Sequence, residues 1–230
     1  MTDPSSAPPA APPTAGEAEE DGLSRAERVY RHLRAGIRAG TYRAGQRLRE
    51  VEIAAALNTS RTPVREAIRR LEADRLVEDV AGAGLTVRQL DRQRVLELYM
   101  FRAAMEGTAA EWAAMHATEL DIAELSDTLA QMRAVAEDPK RAALLYRRFH
   151  EGIYRAARNS FLNHVIASTS DFMALLPGTT YDLPGRAAQV LREHERVLEA
   201  IAARDPEQAA RAMRDHIQMA SQFRLRMAAT

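Results

Sequence analysis

The chain has 230 residues, 46% of them hydrophobic, a formal net charge of zero and no cysteine, and that length and apolar content suit two small cores better than one large one. Without cysteine, disulfides and thiol catalysis are excluded, and a metal site has only His, carboxylate, Tyr or water to draw on. The zero charge hides an asymmetry: residues 1–23 carry five acids and no base, residues 24–75 thirteen Arg against six acids (net +7), and the rest nineteen bases against twenty-one acids.

A local basic block is what phosphate binding requires, although a salt-bridged surface accounts for the same count. The first 22 residues, MTDPSSAPPAAPPTAGEAEEDG, contain almost no large apolar side chain. They cannot offset the entropy of ordering and are expected to be a disordered tail. No basic stretch leads into an apolar run there, and no apolar segment of about 18 residues occurs anywhere. A cytoplasmic protein with no membrane partner is expected.

Ser24 is placed to cap a helix in which Val29, Leu33 and Ile37 recur until Gly40 stops it. Residues 49–57 form a short second helix, and Asn58 and Thr59 turn the chain. A third helix runs from about Arg61 to Asp74, with Pro63 tolerated because it lies in the first turn. LVEDV, AGAG and LTV then read as two short strands around a Gly-rich tip, the only β signal in the chain. From Asp91 onward the pattern is helical, over 91–116, 118–137, 139–158, 160–175, 185–203 and 206–227, with breaks at Pro139, Pro177, Pro184 and Pro206. No fixed-period repeat argues for a solenoid.

On the third helix Val64, Ala67, Ile68 and Leu71 share one arc, while Arg61, Arg65 and Arg69 lie side by side on the outward face. Such a helix suits the major groove, where Arg binds guanine in a bidentate way or clamps phosphate. Ser60 and Thr62, at its N-terminal end, can meet a phosphate with hydroxyls and free amides. A solvated helix held by Arg–Glu pairs is the plain alternative.

The stretch AGQRLREVEIAAALNTSRTPVREAIRRLEADRLVEDVAGAGLTV resembles the winged-helix domain of the GntR family of bacterial repressors. The resemblance implies that Arg61 and Arg65 read bases and phosphates, that Thr62 supports them on the backbone, and that Gly84 is the wing tip approaching the minor groove. Members of the family often carry a basic or polar residue just before that Gly. This chain has Ala83 there, which implies a wing contact that is weaker or made by backbone.

Three of the six His lie on apolar stripes of separate helices. His150 shares a face with Tyr146, Ile153 and Ala157; His194 with Val190, Val197, Leu198 and Ile201; His216 with Met213, Ala220 and Phe223. A single inward His is usually a core residue with a satisfied hydrogen bond. Three that converge with an open position suit a borderline divalent ion instead, Zn²⁺ preferred, with Mn²⁺ or Ni²⁺ as alternatives. His32, His116 and His164 lack such a setting and are expected to be ordinary, partly exposed residues.

FHEGIYRAARNSFL followed by REHERVLEAIAARDPEQAARAMRDHI resembles the FadR-type ligand-binding (FCD) domain of one large GntR subgroup, over about residues 91–225. In many such domains three His, joined by an Asp four residues before the first, hold a metal that helps bind a carboxylate effector. The resemblance makes His150, His194 and His216 the metal ligands and puts Tyr146 at the Asp position. A neutral phenol, with an unperturbed pKa of about 10, is a weak ligand near pH 7. Metal binding is then weaker, completed by water or effector oxygen, or absent. Arg102, in YMFRAAMEGTAAEWAA, matches a position where an Arg commonly faces the cavity. Either it pairs with Glu106 at i,i+4, worth a few tenths of a kcal/mol, or it clamps an effector carboxylate. Arg102 and Tyr146 are therefore the effector-side candidates. Asn159 is expected to cap the next helix and Trp112 to lie in the core.

The expected fold is mainly α. A tail at 1–22 precedes a winged helix-turn-helix DNA-binding domain at 23–88 and an all-helical effector-binding and dimerisation bundle at 91–228. The expected function is a transcription regulator, a repressor, acting as a homodimer on double-stranded operator DNA under control of a small carboxylate effector. A metal-dependent enzyme is one rival, but no GxSxG, HExxH or Walker A pattern is present, and the chain has a single Lys. A ligand-free helical interaction module is another. Neither rival explains the basic helix-turn-helix block.

Overall fold

The computed structural model describes residues 22–135 and 138–227, so the expected tail lies outside the described residues apart from Gly22. Two compact units result, one formed by the described residues up to Tyr42 with Gln46–Val87, the other by Arg43–Gly45 with the chain from Arg88 onward.

The first unit contains α1 (Arg25–Arg38), α2 (Glu50–Ala56), α3 (Arg61–Ala73), β1 (Val77–Val80) and β2 (Gly84–Val87). Ser24 caps α1 as expected, its Oγ accepting from the Glu27 amide at 3.1 Å. α1 packs on α3, burying Val29, Leu33 and Ile37 from one helix and Val64, Ala67, Ile68 and Leu71 from the other. Between α2 and α3, Asn58 takes a left-handed conformation (φ 46°), which Asn tolerates better than most residues.

The strands pair antiparallel from Val77 opposite Val87 to Val80 opposite Gly84. Residues 81–83 make the reversal, and Gly84 opens β2 with φ 74°, a backbone angle that favours glycine. A third extended piece joins them. Arg47 bridges Thr86, the Leu48 amide donates to the Leu85 carbonyl at 2.8 Å, and the Val87 amide donates to the Gln46 carbonyl at 2.9 Å. The sequence pattern did not announce this piece, because a single bridged residue is too short to alternate.

The second unit consists of α4 (Arg92–His116), α5 (Glu119–Ala134), α6 (Pro139–Ala156), α7 (Ser160–Ala174), a 3₁₀ turn (Thr180–Asp182), α8 (Arg186–Ala202) and α9 (Pro206–Met227). The caps explain the boundaries. Asp91 caps α4, Thr118 and Asp121 form a reciprocal capping box on α5, and Asn159 Oδ1 accepts the Leu162 amide at 2.8 Å to start α7. α5 stops at Ala134, short of the expected 137, and residues 136 and 137 lie outside the described chain.

α4 runs along α9. At Gly107 an added Cβ would stand 2.9 Å from Arg214 Cγ and 3.4 Å from the Ala210 carbonyl oxygen, so a methyl group there would press on the Arg214 side chain of α9. Around this pair Phe149, Ile153, Val190, Val197, Ile201, Met213 and Ile217 form the apolar core, with Trp112 packed against it. Into that core are set Arg102, Glu106, His150, Arg186, Glu193, His194 and His216, each at most 5% exposed. Groups of this kind are buried only when paired.

A candidate DNA-reading helix and a buried histidine centre

α3 presents its charged face as the sequence predicts: Ser60, Arg61, Thr62, Arg65 and Arg69 are all exposed. The Ser60 hydroxyl makes no capping bond to the helix. Arg61 Nη2 donates to Glu50 Oε2 at 3.0 Å, and Arg65 Nε donates to the same oxygen at 2.9 Å. One carboxylate at the start of α2 thus aligns two arginines of α3. Burial pushes the Glu50 carboxyl up, but the bonds from Arg61 and Arg65 outweigh it and hold the group below its ordinary value. Arg–Glu pairing, the plain alternative for this helix, is therefore present together with the exposed cationic face. The neighbouring Arg70 faces the other way, over the Tyr30 ring at 4.0 Å and against Glu27.

The three inward histidines meet. His150 from α6, His194 from α8 and His216 from α9 bring their Nε2 atoms together, 3.2 Å between His150 and His194 and 3.4 Å between His194 and His216. Each imidazole is fully or almost fully buried. His32, His116 and His164 are exposed.

Two carboxylates fix the outer edges of these rings. Glu106 of α4 accepts from His150 Nδ1 at 2.6 Å, and Glu193 of α8 accepts from His216 Nδ1 at 2.6 Å. An ionised carboxylate only accepts, so each Nδ1 carries the proton and each Nε2 turns a lone pair toward the common point. Burial pushes both carboxyls up. Arg102 and His150 hold Glu106 far below its ordinary range all the same, and His216 and Arg186 hold Glu193 below its ordinary value. Arg102 Nε donates to Glu106 at 2.7 Å, Tyr154 adds its hydroxyl at 2.7 Å, and Arg186 Nη1 donates to both oxygens of Glu193.

Burial pushes His216 down to about 4 despite its bond to Glu193. It also pushes His194 well below its ordinary value, helped by the flanking imidazoles. Neutral imidazoles at pH 7 are the form that binds a cation. His194 Nδ1 has no hydrogen-bond partner in the protein, while its Nε2 lies within hydrogen-bond distance of both neighbouring imidazoles. Three imidazole nitrogens facing one point, two of the rings with carboxylates behind them, form a donor set that fits a borderline divalent metal.

Tyr146 stands beside this point, its hydroxyl 3.3 Å from His216 Nε2 and its ring centroid 4.3 Å from that of His150. Burial pushes the phenol up to about 12 although Arg102 pulls it back. Arg102 donates from Nη2 to the Tyr146 oxygen at 3.2 Å and approaches Met173 Sδ with Nη1. Arg102 therefore reaches Tyr146 as well as its i,i+4 partner. Sequence reasoning had no role for Glu50, Glu193 or Tyr154. It named Glu106 only as the partner of Arg102, because the contact to His150 spans 44 residues.

Residues 25–87 match the family model for bacterial regulatory proteins of the gntR family, and residues 97–219 match the FCD domain. The chain is 35% identical over 184 residues to the "Probable D-xylose utilization operon transcriptional repressor" of Paenarthrobacter nicotinovorans, spanning 79% of this chain and 80% of that protein. A GntR transcriptional regulator from Rhodococcus sp. RHA1 superposes with a TM-score of 0.70 at 27% identity over 88% of this chain and 98% of that one. E. coli McbR/YncC shares the fold with a TM-score of 0.73 at 23% identity, over 90% of this chain and 100% of that one.

Proposed function

The chain belongs to the GntR family of bacterial regulatory proteins and carries an FCD domain, and from that premise, a DNA-binding transcriptional regulator and no enzyme, we propose a repressor controlled by a small carboxylate effector at the histidine centre. The observation that carries this reading is the buried convergence of the His150, His194 and His216 Nε2 atoms, with Glu106 and Glu193 behind two of the rings. A divalent metal held by these three would supply positive charge and Lewis acidity for an effector carboxylate. Arg102 and Tyr146 border the same point, Tyr146 being only partly buried. They are the residues an incoming anion meets.

On the DNA side Arg61 and Arg65 leave Glu50 for guanine edges and phosphates, Ser60, Thr62 and Arg69 hold the backbone, and the wing at Gly84 approaches the minor groove. Two chains pair through the helical unit, where Met100 and Phe101 of α4 and Phe161 and Val165 of α7 are exposed apolar side chains. Pairing presents two reading helices to two half-sites. The effector shifts the population between arrangements that fit the operator and arrangements that do not. Such a regulator works in the cytoplasm; among the described residues no helix is long and apolar enough to cross a membrane.

The test joins elemental analysis of the wild-type and His194→Ala proteins to a fluorescence-anisotropy titration on DNA from upstream of the chain's own reading frame. About one transition metal per chain is expected, lost in the variant, with release of DNA by one class of small carboxylate. A panel of mono- and dicarboxylates that changes neither DNA affinity nor thermal stability of the metal-loaded protein would sink this reading.

A further inference from the structure

We infer that Tyr146 is itself a metal ligand, so that in the effector-free protein the cation is held by three imidazole nitrogens and one phenolate oxygen. This rests on the reading of the histidine centre as a metal site and goes one donor beyond it. The distances carry it. His150 to His194, His194 to His216 and His216 to Tyr146 give successive donor separations of 3.2, 3.4 and 3.3 Å. Four donors bound tetrahedrally at about 2.0–2.1 Å stand about 3.3–3.4 Å apart. The tyrosine oxygen is thus as near to His216 Nε2 as His194 Nε2 is to each of its two neighbouring nitrogens.

Local structure supports the assignment. Tyr146 precedes His150 by four residues on α6, so both project from one face of that helix. Each of two imidazoles has a carboxylate behind it, and the Tyr146 oxygen has the Arg102 guanidinium at 3.2 Å.

Charge points the same way. Arg102 with Glu106 and Arg186 with Glu193 cancel in pairs, so a divalent ion brings its full charge into an apolar core. A phenolate halves that charge. On ligation the O–H proton leaves to bulk solvent as the metal–oxygen bond forms. The effector carboxylate then competes with Tyr146 for one coordination position, with Arg102 able to donate to either oxygen. The plain alternative is a phenol that only donates its proton to His216 Nε2.

The experiment uses the full chain, stripped with a chelator and loaded with a stoichiometric amount of Cu²⁺ as the probe. Copper bound by a phenolate has a visible charge-transfer band, whereas copper bound by imidazoles alone has only weak d–d absorption. The expected result is the band in wild type and its loss in Tyr146→Phe, which still binds copper through the histidines. Resonance-enhanced phenolate vibrations in wild-type Raman spectra identify the ligand independently of how the variant folds. Copper that binds wild type, is lost in His194→Ala and shows no band would overturn the tyrosine ligand while keeping the three-histidine site. Failure of wild type to hold copper at this centre would overturn both.

Discussion

Glu50 and Glu106 are each gripped by arginine, yet the two contacts have opposite consequences. Glu50 faces solvent together with Arg61 and Arg65, whose side chains are 56% and 54% exposed. Water screens such pairs, and each contributes no more than about 1 kcal/mol. Glu106 is 1% exposed and Arg102 6%, and the same carboxylate also receives His150 and Tyr154. No solvent is there to replace a lost partner. A weak, wet pair can be exchanged for phosphate at little expense, whereas a dry, fully connected one fixes the positions of side chains that must converge. Burial therefore decides whether a carboxylate–arginine contact is exchangeable or fixed.

The comparison breaks most visibly in Glu106→Ala. That change strands a buried guanidinium and the donors of His150 and Tyr154, and should lower stability by about 3–5 kcal/mol in urea denaturation; a loss within experimental error would mean the buried network does not hold the fold. Arg61→Ala should weaken specific operator binding by about 1–3 kcal/mol while leaving the melting temperature unchanged, and unchanged operator affinity removes Arg61 from the reading set. In calorimetric titration with Zn²⁺, Glu193→Gln should lower metal affinity by about 10- to 100-fold, because His216 loses the carboxylate that sets its tautomer. Wild-type affinity in that variant would show that the outer partner does not tune the ring. The smallest effect belongs to Glu50→Ala. Its stability should fall by less than about 1 kcal/mol, with non-specific DNA binding strengthened as two arginines lose an internal competitor, an effect read in anisotropy at low salt.

Much of this was legible in the sequence, for physical reasons that can be named. Ser24 and Asn159 announced helix starts because their side chains satisfy amides that the helix leaves free. His150, His194 and His216 could be read as inward because a helix repeats every 3.6 residues and their neighbours at that spacing are apolar. The partners of those rings could not be read. Glu193 sits next to His194 in the chain but bonds His216, 23 residues away. Nothing local distinguishes it from the half-buried Glu195 or the exposed Glu199 on α8. Arg47 went unread for the same kind of reason, its pairing with Thr86 being a tertiary contact of one residue.

Gly107 lies one residue beyond Glu106 on α4, facing Ala210 and Arg214 of α9, the helix that bears His216. Seen from the donors, it works as a spacer of zero thickness. A methyl group there meets the Arg214 side chain first, on the helix that carries His216. Gly107→Ala therefore tests, without altering a single donor, whether the spacing of these two helices sets the spacing of the histidine nitrogens.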